Sequence, residues 1–337
     1  MSISDQRRDW LDDIERLKGL MIILVVWGHC YDPNLPDWAL GLRHAIYAFH
    51  MPVFMFLSGY VYIHVKAHLL RSSYGVYVLK RAKRLLVPFF AMAAIIIAGK
   101  IASQSFVVVN KPINDVAASV WHLFIHTEQS PVLFVWYLFV LFAISIMVPI
   151  LSRGQRWGLA ALGVASVLLH IAHVEMFYSG IVLDYLYLNR IIMYFVFFMY
   201  GALACEYRDR WINFVGKAWL AALVLFVLLQ FAAWESEWRY LLVGCTAVVL
   251  FHGLMRSKAQ EALGFLTFFG RNALVIYLLN LIFVGAVRGI YTKYLSPHDY
   301  AMGLLLSSTA LGVFGPIIVK YAIFSVRPLR PLAVAME

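Results

Sequence analysis

Charged side chains are scarce in this 337-residue chain, at 14% of all residues. An ordinary soluble domain carries about 25%. Apolar residues make up 63% of the chain, and its mean hydropathy is +0.78. This composition excludes an ordinary soluble globular domain, which needs a polar surface, and a disordered chain, which has few apolar residues. It predicts a protein that crosses a membrane several times.

Cysteine is also rare, and acidic residues are outnumbered by basic ones. The three cysteines, Cys30, Cys205 and Cys245, lie in or beside apolar runs. An odd number at these spacings predicts neither a disulfide framework nor a cysteine metal site. Lys and Arg exceed Asp and Glu by 28 to 18, for a net charge of +10. These cations form short clusters between apolar runs instead of one basic face, so we predict no nucleic-acid partner.

Ten apolar runs follow one another, mostly with short connections. A helix needs about 20 mostly apolar residues to cross the roughly 30 Å of hydrocarbon in a bilayer. The sequence therefore predicts an all-α, polytopic transmembrane helical bundle of about ten spans. We predict one membrane domain over residues 1–337, with a cytoplasmic amphipathic segment at 1–16 and the bundle at 17–325. The predicted runs are 17–31, 45–64, 85–102, 133–151, 157–174, 185–206, 218–234, 239–255, 273–292 and 301–325.

The orientation of the bundle follows from the positions of the cations. Most of the 28 Lys and Arg residues lie near the two termini or in alternate connections, such as residues 66–84 and 256–271. Cytoplasmic loops carry an excess of Lys and Arg. We therefore predict that the N-terminus and the C-terminus are both cytoplasmic. The composition and topology suit a multi-pass protein of a bacterial inner membrane.

Polar residues inside the first predicted span are the clearest functional candidates, since ionisable groups are costly in a bilayer. Lys18 and His29 are eleven residues apart, which is about three helical turns. They therefore share one helix face, about 16 Å apart along the axis. A snorkelling lysine and a hydrogen-bonded structural histidine are the alternative interpretation. Glu15 lies one turn before Lys18 and is a candidate to orient it.

The next two spans carry similar features near their ends. His50 and Pro52 open the second span, and Ser58 follows within the same helix. Arg81 and Arg84 lie one turn apart at the start of the third span, where two guanidinium groups can grip a phosphate. Basic residues at this depth also anchor spans to anionic lipid, and the spacing alone does not distinguish the two roles.

These segments, taken in order, resemble the membrane-bound acyltransferase-3 family, whose members acylate sugars and other cell-surface acceptors. The family has a basic residue, ten residues and then a histidine in its first span, which corresponds to Lys18 and His29 with Lys in place of the commoner Arg. Many members have a histidine where Asn280 stands. The other similar segments are His50-Met51-Pro52-Val53-Phe54, Ser58-Gly59-Tyr60, Arg81-x-x-Arg84, Trp136-Tyr137-Leu138, Asn189-Arg190 and Tyr277-Leu278-Leu279-Asn280.

The resemblance implies an O-acyltransferase that uses acetyl-CoA, or another acyl-CoA, as co-substrate and has no bound cofactor. It implies a carbohydrate acceptor, which the sequence does not narrow beyond a polysaccharide, a lipopolysaccharide or an oligosaccharide, and membrane lipid around the bundle. His29 is the predicted catalytic residue, either as general base or as an acylated nucleophile. The predicted substrate-binding residues are Lys18, His50, Ser58, Tyr60, Arg81, Arg84, Trp136, Tyr137, Arg190 and Asn280.

Two other functions fit an apolar bundle with polar residues inside it. A secondary transporter or flippase for a lipid-linked or small polar substrate often has paired repeats with matching polar sites. Here the polar signatures lie mainly in the first three spans and have no counterpart in the second half, which favours an enzyme. An assembly subunit without chemistry would leave the spacing of Lys18 and His29 unexplained.

The connection at residues 103–132 is the longest, and we interpret it as an ordered outer lid. His122 and His126 have the i, i+4 spacing of zinc ligands, but no third ligand accompanies them, so we predict no metal site. Asp184 and Arg190 bracket the start of the sixth span and are candidates for an ion pair in the bundle interior.

Overall fold

A computed structural model describes residues 3–70, 73–105, 111–232 and 237–325. Within these ranges the protein is helical and contains no β-strand, apart from one isolated bridge between Ile125 and Tyr185. The predicted cytoplasmic tails at 1–2 and 326–337 lie outside the described residues. The helices are α1 Ile3–His29, α2 Asp37–Tyr47, α3 His50–His64, α4 Tyr74–Ser103, α5 Val116–Trp121, α6 Trp136–Ser152, α7 Arg156–Tyr178, α8 Leu188–Glu206, α9 Arg208–Phe231, α10 Glu237–Arg256, α11 Leu266–Arg271, α12 Ala273–Tyr294 and α13 Ala301–Ser325.

Nine helical segments in the described residues are long and apolar enough to cross a membrane. They coincide with nine of the ten predicted runs, so the prediction of an all-helical transmembrane bundle is confirmed. The side of the membrane that each end faces stays a prediction. The nine segments are Asp37–His64, Tyr74–Ser103, Leu133–Ser152, Arg156–Tyr178, Leu188–Glu206, Arg208–Phe231, Glu237–Arg256, Ala273–Tyr294 and Ala301–Ile323.

The tenth run, residues 17–31, lies almost entirely in α1, which is not among these nine segments. The first half of α1 carries five charged residues between positions 12 and 18, which interrupt any apolar window long enough to span a bilayer. The helix is nevertheless continuous from Ile3 to His29. The predicted amphipathic segment and the predicted first span are therefore one helix.

Two compact units make up the chain, and α1 lies in the first of them, which contains Met1–Phe54 and Asp209–Glu337. There α1 packs against α2, α10, α11, α12 and α13. Leu17, Met21 and Val26 on α1 are fully buried. Because protein surrounds much of this helix, Asp13 and His29 meet side chains of other helices, and Arg16 donates to the carbonyl oxygen of Met255.

The second unit, Met55–Arg208, is built on contacts of α6 with α4, α7 and α8, and of α7 with α8. Its longest connection is anchored by a buried cluster that joins Ala93 and Ile97 of α4 to Ile113, Leu123 and Val132. The described parts of the predicted lid are therefore packed onto the unit. Residues 106–110 of that connection lie outside the described residues.

Gly59 allows α3 and α8 to approach closely within the second unit. A Cβ atom on Gly59 would overlap the carbonyl oxygen of Phe198, and a Cβ on Gly201 would overlap that of Phe56. The two helices therefore need glycine at both positions, as close crossings of membrane helices commonly do. Gly59 is therefore explained by helix packing. Of the Ser58-Gly59 pair, only Ser58 has a polar side chain that could contact a substrate.

Candidate active site

The first unit holds His29 in a defined orientation. His29 is the last residue of α1, and its Nδ1 lies 2.8 Å from Oδ1 of Asn280 on α12. The Nδ2 of Asn280 donates to the carbonyl oxygens of Ile276 and Tyr277, each at 2.8 Å. With Nδ2 donating, Oδ1 is the acceptor, so Nδ1 of His29 carries the proton.

The other ring nitrogen of His29 is the one available for chemistry. In the described residues, no hydrogen bond reaches Nε2, and the side chain is partly exposed, whereas Asn280 is fully buried. A neutral imidazole with Nδ1 protonated has its lone pair on Nε2. The Asn280 amide therefore selects the tautomer in which Nε2 can accept a proton.

Arg43, a residue that the sequence did not suggest as functional, lies beside the same end of α1. Its Nε donates to the carbonyl oxygen of Gly28 at 3.1 Å. Its guanidinium carbon lies 4.5 Å from the ring centre of Tyr31 and 4.3 Å from that of Tyr47. Only the i, i+4 spacing of Arg43 and Tyr47 on α2 signals part of this arrangement in the sequence.

His50 opens α3 and is also in the first unit. Its Nδ1 lies 2.8 Å from the carbonyl oxygen of Ile46 and donates to it, since a carbonyl only accepts. The ring packs edge-on against Tyr47, with 4.9 Å between centres, and the residue is buried. A role for His50 in substrate binding stays a prediction.

Lys18 lies on α1 about three turns before His29 and does not contact it. Its Nζ donates to Oε1 of Glu15 at 2.7 Å, an i, i+3 ion pair with both side chains partly exposed. Glu15 therefore orients Lys18, as the sequence suggested. A role for Lys18 in substrate binding stays a prediction.

The first half of α1 is held by a buried polar network that the sequence did not reveal. Asp13 is 1% exposed and forms an ion pair with Arg256 of α10. His252, one turn earlier on α10, has its Nε2 3.7 Å from Oδ2 of Asp13, and its Nδ1 accepts a hydrogen bond from Nε1 of Trp211 at 3.1 Å. Asp13 therefore anchors α1 in the protein, and the cytoplasmic position of residues 1–16 stays a prediction.

The second unit brings together two of the predicted substrate-binding residues on α3 and α6. The hydroxyl groups of Ser58 and Tyr137 lie 2.6 Å apart and form a hydrogen bond. Tyr60 is fully buried, with its ring centre 5.8 Å from that of Phe56.

Arg81 and Arg84 have different surroundings although they lie one turn apart on α4. The Nε of Arg81 donates to the hydroxyl of Tyr77 at 3.2 Å, and its guanidinium carbon is 5.3 Å from the ring centre of Tyr62. The hydroxyl of Tyr77 donates to the carbonyl oxygen of Ser145 at 2.7 Å. Arg84 is exposed and makes no hydrogen bond or ion pair with the described residues. Arg81 is therefore held in place, whereas Arg84 extends outward.

Arg190 pairs with Glu128, so the predicted pairing with Asp184 is wrong. The Nε and Nη2 of Arg190 donate to the two carboxylate oxygens of Glu128 at 3.0 and 2.8 Å. Asp184 instead accepts hydrogen bonds from the Thr127 hydroxyl at 2.7 Å and from the Glu128 amide at 3.0 Å. The Asp184 carboxylate thus binds the connection at residues 103–132, and Glu128 is the acid that pairs with Arg190.

Trp136 and Arg190, two predicted substrate-binding residues, are also in contact. The Arg190 guanidinium carbon lies 4.8 Å from the Trp136 ring centre, and Trp136 stacks on Tyr194 with 4.7 Å between centres. The Trp136 ring is only 7% exposed. It packs mainly within the unit and has little surface for stacking on a sugar.

The profile of the acyltransferase-3 family, described as an acyltransferase domain, matches residues 11–323. The match covers nearly the whole chain, and the chain belongs to this family of membrane acyltransferases. The resemblance drawn from the sequence is therefore confirmed. Membership of an enzyme family also favours catalysis over the transporter and assembly alternatives.

Two curated relatives are nodulation proteins called NolL. The one from Sinorhizobium fredii is 39% identical over 92 residues, which are 26% of this chain and 24% of that protein. The one from Mesorhizobium japonicum is 36% identical over 84 residues, which are 23% of this chain and 22% of that protein. The chain thus matches less than a quarter of the length of either relative. No solved structure matches the chain.

Proposed function

We propose that this acyltransferase moves an acetyl group from acetyl-CoA to a hydroxyl of a cell-surface or exported carbohydrate. The observation that carries the proposal is the hydrogen bond between Nδ1 of His29 and Oδ1 of Asn280, which leaves the Nε2 lone pair available. Acyl transfer to a hydroxyl needs a base at that step. The first-span histidine of the family motif is the residue with this geometry.

In the proposed reaction the acceptor oxygen bonds to the thioester carbonyl carbon while its proton moves to Nε2 of His29. The carbonyl π electrons move onto the carbonyl oxygen. When the C=O bond forms again, the C–S bond breaks and the departing CoA sulfur takes the proton from His29. Attack by Nε2 itself, which would give an acyl-histidine, uses the same lone pair and is the alternative form of this mechanism.

For the donor, we propose that Arg81 and Arg84 bind phosphate groups of the acyl-CoA. Arginine is suited to phosphate because its planar group donates two parallel hydrogen bonds. Arg81 is already oriented by Tyr77 and Tyr62, so less conformational entropy is lost when it binds an anion. With this end of α4 cytoplasmic, as its cations predict, the donor would come from the cytoplasm and the protein would lie in a bacterial inner membrane.

For the acceptor, the proposal of a carbohydrate hydroxyl rests on the family resemblance. Arg190 and Glu128 are the charged groups near the predicted residue Trp136, and their side chains are 20% and 43% exposed. Hydrogen bonds from such groups to sugar hydroxyls would position an acceptor. Roles for His50, Ser58, Tyr60 and Tyr137 in binding substrate stay predictions.

The proposed function is tested with purified wild-type protein in liposomes and acetyl-CoA. We expect release of free CoA, slow with water as the acceptor and faster when a carbohydrate extract supplies hydroxyl groups. Labelled acetyl groups should appear in the carbohydrate fraction. Failure to release CoA, together with no binding of acetyl-CoA, would contradict the proposal and return the transporter alternative to consideration.

We expect Arg81→Gln to raise the KM for acetyl-CoA by about 10- to 100-fold and to change kcat little. The reason is the loss of one charge-assisted hydrogen bond to phosphate, worth about 1.5–3 kcal/mol, in both the ground state and the transition state. Lys83→Gln is the matched control, because Lys83 is an exposed cation on the same turn of α4. Equal effects of the two variants on KM would indicate that the cluster acts only as a lipid anchor.

A further inference from the structure

Arg43 is a half-buried cation that meets no acidic partner among the described residues. In the described part of the chain it forms no salt bridge, and only its Nε makes a hydrogen bond. Two acids precede it in the same connection: Asp32 is buried and accepts a hydrogen bond from the amide of Asn34 at 3.0 Å, and Asp37 is exposed at the start of α2. The two terminal amino groups of Arg43 therefore keep four N–H donors for which the described residues supply no acceptor.

Three contacts hold the Arg43 side chain in one position. The carbonyl of Gly28 accepts from Nε, and the rings of Tyr31 and Tyr47 lie within 4.5 Å of the guanidinium carbon. Burial of a cation without a counter-ion is costly, and aromatic faces offset only part of that cost. A fixed, unpaired positive charge of this kind is suited to meeting a negative charge that forms nearby.

The residue next to the carbonyl that holds Arg43 is His29. The Nε of Arg43 donates to the carbonyl oxygen of Gly28, the residue that precedes His29. Two other polar side chains of this region are committed, because Asn280 donates to two carbonyls and accepts from His29, and Nδ1 of His50 donates to Ile46. The terminal amino groups of Arg43 are thus hydrogen-bond donors without a partner in the described residues, and they lie near the C-terminal end of α1.

We propose that Arg43 is a second catalytic residue, which donates hydrogen bonds from its terminal amino groups to the thioester carbonyl oxygen as that oxygen becomes negative. This inference rests on the proposed acyl transfer at His29. The carbonyl π electrons move onto the oxygen when the acceptor bonds to carbon, and they return when the C–S bond breaks. Donors fixed in advance stabilise the charged state most, because they need no reorganisation during the reaction.

The test compares Arg43→Gln and Arg43→Lys with wild type in the liposome assay. We expect Arg43→Gln to lower kcat by about 10²- to 10³-fold and to leave the KM for acetyl-CoA within about threefold. Arg43→Lys keeps the positive charge but lacks the planar guanidinium group. Its kcat should therefore lie between that of wild type and that of Arg43→Gln. CoA release to water and acetyl transfer to carbohydrate should fall in parallel, since the same oxyanion forms in both reactions.

Arg288→Gln is the matched control. Arg288 of α12 donates to the carbonyl oxygen of Tyr31 at 3.3 Å, so it supports the same connection through one hydrogen bond. We expect its kcat to stay within about threefold of wild type. Binding of a non-cleavable thioether analogue of acetyl-CoA reports on folding for every variant and should be unchanged.

Three results would overturn the role of Arg43. Equal losses of kcat in Arg43→Gln and Arg288→Gln would show a structural role. A rise in the acceptor KM with unchanged CoA release to water would show that Arg43 binds the acceptor. Full activity of Arg43→Gln would show no role. Absence of CoA release by wild-type protein would instead be a failure of the proposed function itself.

Discussion

His29→Ala is expected to lower kcat for CoA release and for acetyl transfer by about 10²- to 10⁴-fold. The range is that of a positioned general base, and the loss is larger when the same nitrogen is the nucleophile. His29 is the partly exposed last residue of α1, so the variant should fold. The measurement is single-turnover CoA release at saturating acetyl-CoA, with analogue binding as the check on folding.

His44→Ala is the control for this variant, because His44 is an exposed histidine on α2 of the same unit. It should retain wild-type kcat. Undiminished kcat in folded His29→Ala would contradict the assignment of the base. Labelled acetyl groups bound to wild-type protein without acceptor, and absent from His29→Ala, would identify the acyl-histidine form of the mechanism.

Asn280→Ala should produce a smaller loss of kcat than His29→Ala, with unchanged KM for acetyl-CoA. Without Oδ1 the imidazole loses the partner that selects its tautomer and orientation. Removing a partner of this kind typically costs about 10- to 100-fold. In the double variant His29→Ala, Asn280→Ala, the asparagine change should add nothing further, since Asn280 is proposed to act through His29. Additive losses would contradict that role.

Asp13→Ala is expected to lower the free energy of unfolding by about 3 kcal/mol. Removing one partner of a buried ion pair costs about 3–5 kcal/mol, and the 27% exposure of the Arg256 side chain places the expected value at the lower end. His252, which is fully buried, also loses the acidic neighbour of its Nε2. The measurement is reversible denaturation in detergent, with the slope of the transition compared between variants.

Asp12→Ala is the matched control for this second prediction. Asp12 precedes Asp13 in α1, but its side chain is 41% exposed and its partner Arg271 is 69% exposed, with 3.8 Å between the charged atoms. An exposed pair of this kind contributes at most about 1 kcal/mol. Equal destabilisation by the two variants would show that the network around Asp13 does not anchor α1.

The same network gives the first half of α1 a packing role that the sequence did not reveal. Alternating acids and bases before an apolar run are typical of a helix on a membrane surface. That pattern does not distinguish a surface helix from one whose charged side chains meet partners far away in the chain. Asp13 and Arg256 are 243 positions apart, so only the packing of α1 against α10 brings them together.

The sequence by itself determined the class of the protein and the positions of nine spans. Hydropathy is a sum over neighbouring residues, and a membrane helix forms its backbone hydrogen bonds within the same segment. Local composition is therefore sufficient to locate the spans. Motif spacing determined the family and the candidate His29, since residues on one helix keep a fixed separation.

Only the tertiary structure decided which groups meet His29 and which charges pair. Asn280 is 251 positions from His29, and Glu128 is 62 positions from Arg190, so no periodicity relates them. Local spacing favoured Asp184 for Arg190, but the hydroxyl of Thr127 and the amide of Glu128 use that carboxylate. Long-range pairing depends on how separate helices and connections pack, because a buried polar group takes the partner that the packing places within hydrogen-bond distance.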